Sequence, residues 1–318
     1  MRYLDLHCDT ITQCRTKGFS LSGNPLHLDA QRASVFDAWV QVFAVWIPDT
    51  LRGEQAWSYF ESNAAFYVQQ TQACGLRCCG GSDDLEQAIS SETPAAILAV
   101  EGGAVLGGKL ERVDELYRRG VRILTLTWNA ENELGFGCQS AGGHLKPFGK
   151  DVLRRMNALG MIADVSHLDR TGFYDVLERT HRPVLASHST SEAVLRRTRT
   201  DSEDKAFSMR RALDDDQIRA LAAHGGIIGL NFCGSFLGDP GDDGIDAALR
   251  HAAHIIELGG EDILAIGSDF DGCTMHSELS GIEKMPALYD AFMKYGFGRV
   301  LCEKIFFENG LHFFKSML

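Results

Sequence analysis

Residues 95–127 read AAILAVEGGAVLGGKLERVDELYRRGVRILTLT, and their reading decides the fold. The six apolar residues 95–100 have the length of a fully buried strand and stop at Glu101-Gly102-Gly103. An amphipathic stretch, 110–119, follows and ends at Gly120, the residue type that lets a chain turn left-handed as it leaves a helix. A second apolar run, 121–127, begins at once. Strand, helix and strand in that order make the parallel unit of α/β proteins.

The unit recurs in both directions along the chain. Further apolar runs of strand length lie at 3–7, 38–47, 161–165, 183–186, 226–231 and 263–267, which brings the number to eight. Helix candidates fall between or after them at 57–74, 150–159, 169–180, 214–224, 245–258 and 285–295, several closed by glycine. Eight buried strands alternating with helices predict an α/β chain folded as a closed (β/α)8 TIM-like barrel rather than an open doubly wound sheet. Residues 1–318 are expected to form one such unit, and FFENGLHFFKSML at 306–318 to add a C-terminal amphipathic helix.

Composition narrows the partners. The 318 residues are 45% hydrophobic and 23% charged, near globular averages. Thirty-one Lys and Arg against 43 Asp and Glu leave a net charge of −12, the wrong sign for gathering nucleic acid or anionic lipid. No apolar run approaches the roughly 18–20 residues needed to cross a bilayer. The start, MRYLDLHCDT, lacks the apolar stretch of a signal peptide, so a cytoplasmic location is expected. The nine cysteines then read as reduced thiols, and Cys74, Cys78 and Cys79 lack the paired spacing of a zinc ribbon. A homo-oligomer is left open.

In a (β/α)8 barrel the active site is built at the carboxyl ends of the strands, so each run is read for its ending. The first ends in His7-Cys8-Asp9, and alternation on a strand puts His7 and Asp9 on one face. The third ends in Glu101, an acid that is costly to bury unless it is paired or bound to metal. The fifth ends at His167, the sixth at His188, and the eighth in Ser268-Asp269-Phe270-Asp271-Gly272, with Asp269 and Asp271 on one face if the chain stays extended. A histidine after a strand is commonly structural, and Glu-Gly-Gly and Asp-Gly are ordinary turns. Convergence of three histidines and three acids at one end of a barrel points instead to a divalent-metal site.

His7, Asp9, Glu101, His167 and His188 are too many for one tetrahedral zinc. They suit two divalent ions, one on His7 and Asp9, the other on His167 and His188, with Glu101 bridging. Zinc is the expected metal, with manganese, cobalt and iron open because no thiolate takes part. Asp269 is left to carry a proton from the attacking water to the leaving group.

The segments DLHCDT, AVEGG, RILTLTWN, DVSH, PVLASHS and GSDFDG, in this order over nearly the whole chain, resemble the membrane (renal) dipeptidases and their bacterial relatives in the amidohydrolase superfamily. The resemblance implies a distorted barrel, a binuclear zinc centre and hydrolysis of dipeptides, often with a D-residue on the C-terminal side. It places the metal pair on His7 and Asp9, the bridge on Glu101, the second metal on His167 and His188, and the acid/base on Asp269. There are two departures. The family's fourth strand usually ends in a Thr-His-Asn-like sequence whose histidine contacts the scissile carbonyl, whereas this chain has Thr127-Trp128-Asn129. Trp128 either donates one indole hydrogen bond to substrate or only packs beneath the loop. The arginine that holds the substrate carboxylate falls on Arg211 by its following context or on Arg199 by its distance from His188. A dipeptidase is thus expected. A hydrolase of another amide or a lactone, and a non-catalytic metal-binding relative, are the alternatives.

Overall fold

The computed structural model describes residues 1–200, 205–239 and 241–318. Nine strands form one sheet: β1 (Arg2–Cys8), β2 (Ala38–Trp46), β3 (Arg77–Cys78), β4 (Ala95–Glu101), β5 (Val121–Thr125), β6 (Ile162–Asp164), β7 (Leu185–Ser189), β8 (Ile227–Leu230) and β9 (Leu264–Ile266). Every pairing between these strands is parallel. β1 joins both β2 and β9, and β2 joins β4, so eight strands close into a ring. β3 stays outside it and pairs only with Ala95 and Ala96 of β4. Its two residues are too short to register as an apolar run, which is why it is absent from the sequence expectation.

Alternation sorts the strand residues into two layers. Leu4, Leu6, Val42, Ile97, Ile123 and Leu185 belong to an inner cluster, whereas Tyr3, Phe43, Leu98, Val100 and Leu124 pack outward under the helices. The inner cluster runs on into Phe307, Phe313 and Phe314 of the C-terminal segment. That segment is longer than the one helix expected: Gly298–Glu303, a π-helical turn Lys304–Glu308 and Asn309–Met317 follow one another directly. It packs on β1 and β9, and a Cβ on Gly310 would lie 2.4 Å from Leu4 Cδ2, so a side chain there would push Leu4 from its place. The amino end of the barrel is closed in this way, and polar chemistry is left to the carboxyl end.

Two expected boundaries moved for identifiable reasons. The run at 183–186 becomes β7 at Leu185–Ser189, because the polar residues Ser187 to Ser189 continue the strand instead of ending it. Ser187 can do so while buried because its N–H and hydroxyl both donate to Asp164, at 3.0 and 2.6 Å. Asp269 and Asp271 are not extended: both have positive φ, 61° and 69°. The turn gives them different partners, and Asp271 accepts from Thr10 Oγ1 at 2.6 Å and from the His27 N–H at 2.7 Å.

Candidate metal centre

Glu101 reaches the carboxyl end of the barrel by plain alternation, in step with Ala95, Ile97 and Ala99 on the inner face of β4. His7 and His188 do not. Leu6 and His7 are consecutive, yet Leu6 is in the inner cluster and His7 faces Glu101, and the β1 register slips between Asp5 and Cys8. β7 slips likewise between Ala186 and Ser189, around His188. Such irregularities re-aim a side chain beside a site. Asp9 has left the strand altogether and sits at the N-cap of helix Thr10–Lys17, so its place next to His7 is due to the turn and not to strand alternation.

Two buried carboxylates hold the slipped segments. Asp5 accepts from the His7 N–H at 3.2 Å and from the N–H and hydroxyl of Ser268 at 2.9 and 2.6 Å. Asp164 accepts from the Ser166 N–H, the Ser187 N–H and hydroxyl, and the Thr125 hydroxyl. Sequence reasoning missed both. The available signal was an acid inside an apolar run, affordable only if fully hydrogen-bonded.

The structure brings together five of the nine residues singled out from sequence around Glu101. Glu101 Oε2 lies 3.6 Å from His7 Nε2, and its Oε1 lies 3.0 Å from His167 Nε2 and 3.4 Å from His188 Nε2. His7 Nε2 is also 3.5 Å from Asp9 Oδ2 and 4.0 Å from Asp269 Oδ1. Two donors each about 2.0–2.2 Å from a tetrahedral ion lie roughly 3.3–3.6 Å apart, and the Glu101–His7, Glu101–His188 and His7–Asp9 spacings fall in that range, with Glu101–His167 shorter and His7–Asp269 longer.

The hydrogen bonds behind the histidines set their tautomers. His167 Nδ1 donates to Asn129 Oδ1 at 2.8 Å, an oxygen that also accepts from the Cys138 thiol. His188 Nδ1 donates to Ser187 Oγ at 2.8 Å, because that hydroxyl has spent its own proton on Asp164. Both Nε2 atoms are therefore bare lone pairs, 3.0 Å from each other and turned on a carboxylate oxygen. Three acceptors facing one another are reconciled by a cation. His7 Nε2 and Asp9 Oδ1 are likewise buried with no hydrogen-bond partner. The donor set fits divalent metal.

Electrostatics agree. Burial opposes charge on His7, but Glu101, Asp9 and Asp269 outweigh it and raise the imidazole to about 10. Burial, then Arg211 and His7, hold His167 well below its ordinary value, and burial, His7 and Arg211 do the same for His188. Burial raises Glu101, and pushes Asp269 up to about 7 with Asp9 adding to it. Three acids crowded into one buried site are what a bound cation would neutralise. His167 and Asp269 both have positive φ, 66° and 61°, a strained backbone of the kind that gathers at functional sites.

The remaining residues ring this centre. Asn231, also missed from sequence, donates to Asp269 Oδ2 at 3.1 Å. A Cβ on Gly272 would lie 2.2 Å from Asp269 Oδ1 and 2.3 Å from Asp9 Oδ2, so a side chain there would displace the two acids where they meet. Trp128 is half-buried, edge-on to Trp46 at 5.0 Å and 6.2 Å from the His167 ring. Arg211 donates to the His188 carbonyl at 2.7 Å and to Ser189 Oγ at 3.3 Å, while its buried Nε has no hydrogen-bond partner. It lines a cavity of about 310 Å³ together with His167. Arg199 donates to Ser208 Oγ and to the Ser235 carbonyl, and does not line that cavity.

The sequence profile of the membrane dipeptidase family, peptidase family M19, matches residues 1–317. The chain belongs to the membrane dipeptidase family. It is 30% identical over 253 residues, 76% of this chain and 89% of the other, to an uncharacterized Klebsiella pneumoniae protein encoded in the pqqA 5′ region. It is 33% identical over 216 residues to an uncharacterized dipeptidase of Schizosaccharomyces pombe, 65% of this chain but only 49% of that one, so the match spans about half of that relative. A Rhodobacter sphaeroides metallopeptidase, crystallised with a phosphinate mimic of the dipeptide L-Ala-D-Ala, superposes with a TM-score of 0.90 at 25% identity, over 100% of this chain and 99% of that one. As a membrane dipeptidase family member the chain is a metallopeptidase on a TIM-like barrel. No helix among the described residues is long and apolar enough to cross a membrane.

Proposed function

We propose that residues 1–318 form a binuclear zinc dipeptidase that works in the cytoplasm on free dipeptides, including those with a C-terminal D-residue. The observation that carries this reading is the Glu101 carboxylate, with one oxygen toward His7 and the other toward His167 and His188. His7 and Asp9 would hold one ion, His167 and His188 the other, with Glu101 shared. When bound, such ions supply an acidified water as nucleophile and a Lewis acid for the carbonyl oxygen. Asp269, steadied by Asn231, takes the proton released on attack and gives it to the departing amine. Arg211, anchored on the His188 carbonyl with its Nε left over, faces the substrate carboxylate. Trp128 and Trp46 wall the side where the family usually has histidine, so oxyanion stabilisation falls on the metals.

Nine free thiols support a reducing compartment. The dipeptide mimic bound to the Rhodobacter sphaeroides relative supports a substrate of that size and stereochemistry. The test is turnover of the zinc- or manganese-loaded protein on a panel of L,L and L,D dipeptides alongside lactones and simple amides. Hydrolysis of lactones with none of the dipeptides would overturn the reading.

A further inference from the structure

A second donor cluster meets the first at Asp269. Cys233 Sγ, Cys273 Sγ and an Asp269 carboxylate oxygen all lie within 4.8 Å of one another. Asp269 thus belongs both to this set and to the set it forms with His7 and Asp9. The cluster is held in place before any ligand arrives. Asn231 Oδ1 accepts from the Cys233 N–H at 2.6 Å while Asn231 Nδ2 donates to Asp269, so one side chain sets two of the three donors. Cys233 pairs antiparallel with Met275, and the Gly234 N–H donates to the Thr274 carbonyl at 2.9 Å, which fixes the segment that carries Cys273 alongside. Cys233 is 6% exposed and Cys273 is partly buried.

Two thiols and a carboxylate are a soft-leaning donor set, unlike the nitrogen and oxygen set around Glu101. Thiolates bound to one tetrahedral zinc lie roughly 3.8 Å apart, within the spread seen here.

We propose that Cys233, Cys273 and Asp269 form a third metal site, for a thiophilic divalent cation such as cadmium or excess zinc, and that filling it stops turnover. Each thiol gives its proton to solvent on binding, and Asp269 is taken up as a ligand. The inhibitory half rests on the reading of Asp269 as proton carrier. The site itself does not.

The test titrates cadmium into the reduced enzyme loaded with its two catalytic ions. It follows the ultraviolet thiolate-to-metal charge-transfer band, bound cadmium and dipeptide turnover together. One further equivalent, a thiolate band and at least a tenfold fall in turnover are expected. Cys233→Ser and Cys273→Ser should each lose that band and keep turnover at the same cadmium concentration. The band reports the site even if no dipeptide is hydrolysed, so failure of the proposed function is read separately. A band equally strong in both variants, or none in the parent, would overturn the site. A full band with undiminished turnover would overturn the inhibition.

Discussion

Glu101 Oε1 lies 3.0 Å from His167 Nε2, an atom whose proton has been placed on the far side of the ring by Asn129. A carboxylate and a bare imidazole nitrogen at that distance repel unless something positive joins them. Glu101→Ala is therefore expected to lose most of both metals, measured as metal per chain after dialysis. Retention of one tightly held ion would show that Glu101 does not bridge.

Asp269 differs because its partner is Asn231 and it approaches His7 only to 4.0 Å. Asp269→Asn should keep its metal and lose turnover by roughly 10²–10⁴-fold, the range of general acid–base catalysis. Metal analysis and turnover on the same sample check this. Near-parental rates would give Asp269 a structural part only.

Arg211 lines the cavity that also holds His167, whereas Arg199 does not line it and donates to Ser208 and Ser235. Amidating the C-terminus of a good dipeptide should cost the parent roughly 10- to 100-fold in kcat/KM, the worth of one charge-assisted pair. Arg211→Met should be nearly indifferent to that change. A variant that still prefers the free acid as strongly as the parent would move the clamp elsewhere, with Arg199 next to be replaced.

Gly272 lies where a methyl group would press on Asp9 and Asp269 at once. Gly272→Ala should weaken metal binding by about 10- to 100-fold, as loss of a supporting contact does elsewhere, with little change in Tm. Gly81→Ala, which meets nothing within 4 Å, serves as the control. Unchanged metal affinity in Gly272→Ala would mean the two acids can move apart freely.

His251 predicts an acid-side loss of stability. It is fully buried, accepts from the Ser191 N–H and donates to the Leu237 carbonyl, and burial lowers it to about 3. Above pH ~6.5 the imidazole is neutral folded or unfolded and contributes no pH dependence. Below that, the unfolded chain binds a proton that the folded chain refuses, so stability falls by up to about 1.4 kcal/mol per pH unit until about pH 3. Urea midpoints between pH 7 and pH 4.5 should decline more steeply in the parent than in His251→Gln. Parallel declines would assign the slope to other groups.

Eight apolar runs, their glycine-closed helices and the acid ending the third run were legible in the order of residues, because burial and alternation are local properties written in residue type. Glu101 follows from that alternation without further help. Which face His7 and His188 take was decided only by tertiary structure. Each sits where its strand slips register, and the slip is stable because Asp5 or Asp164 satisfies the backbone and hydroxyl groups it frees. Asp271 lost its expected place beside Asp269, and Asp9 keeps its place beside His7 by another route, since a positive-φ turn and a helix cap override the period of two. The chain order could show which donors lie at strand ends. Only the closed ring, with Asn129, Ser187 and Asn231 setting tautomers and aim from distant segments, could decide which of them face one another.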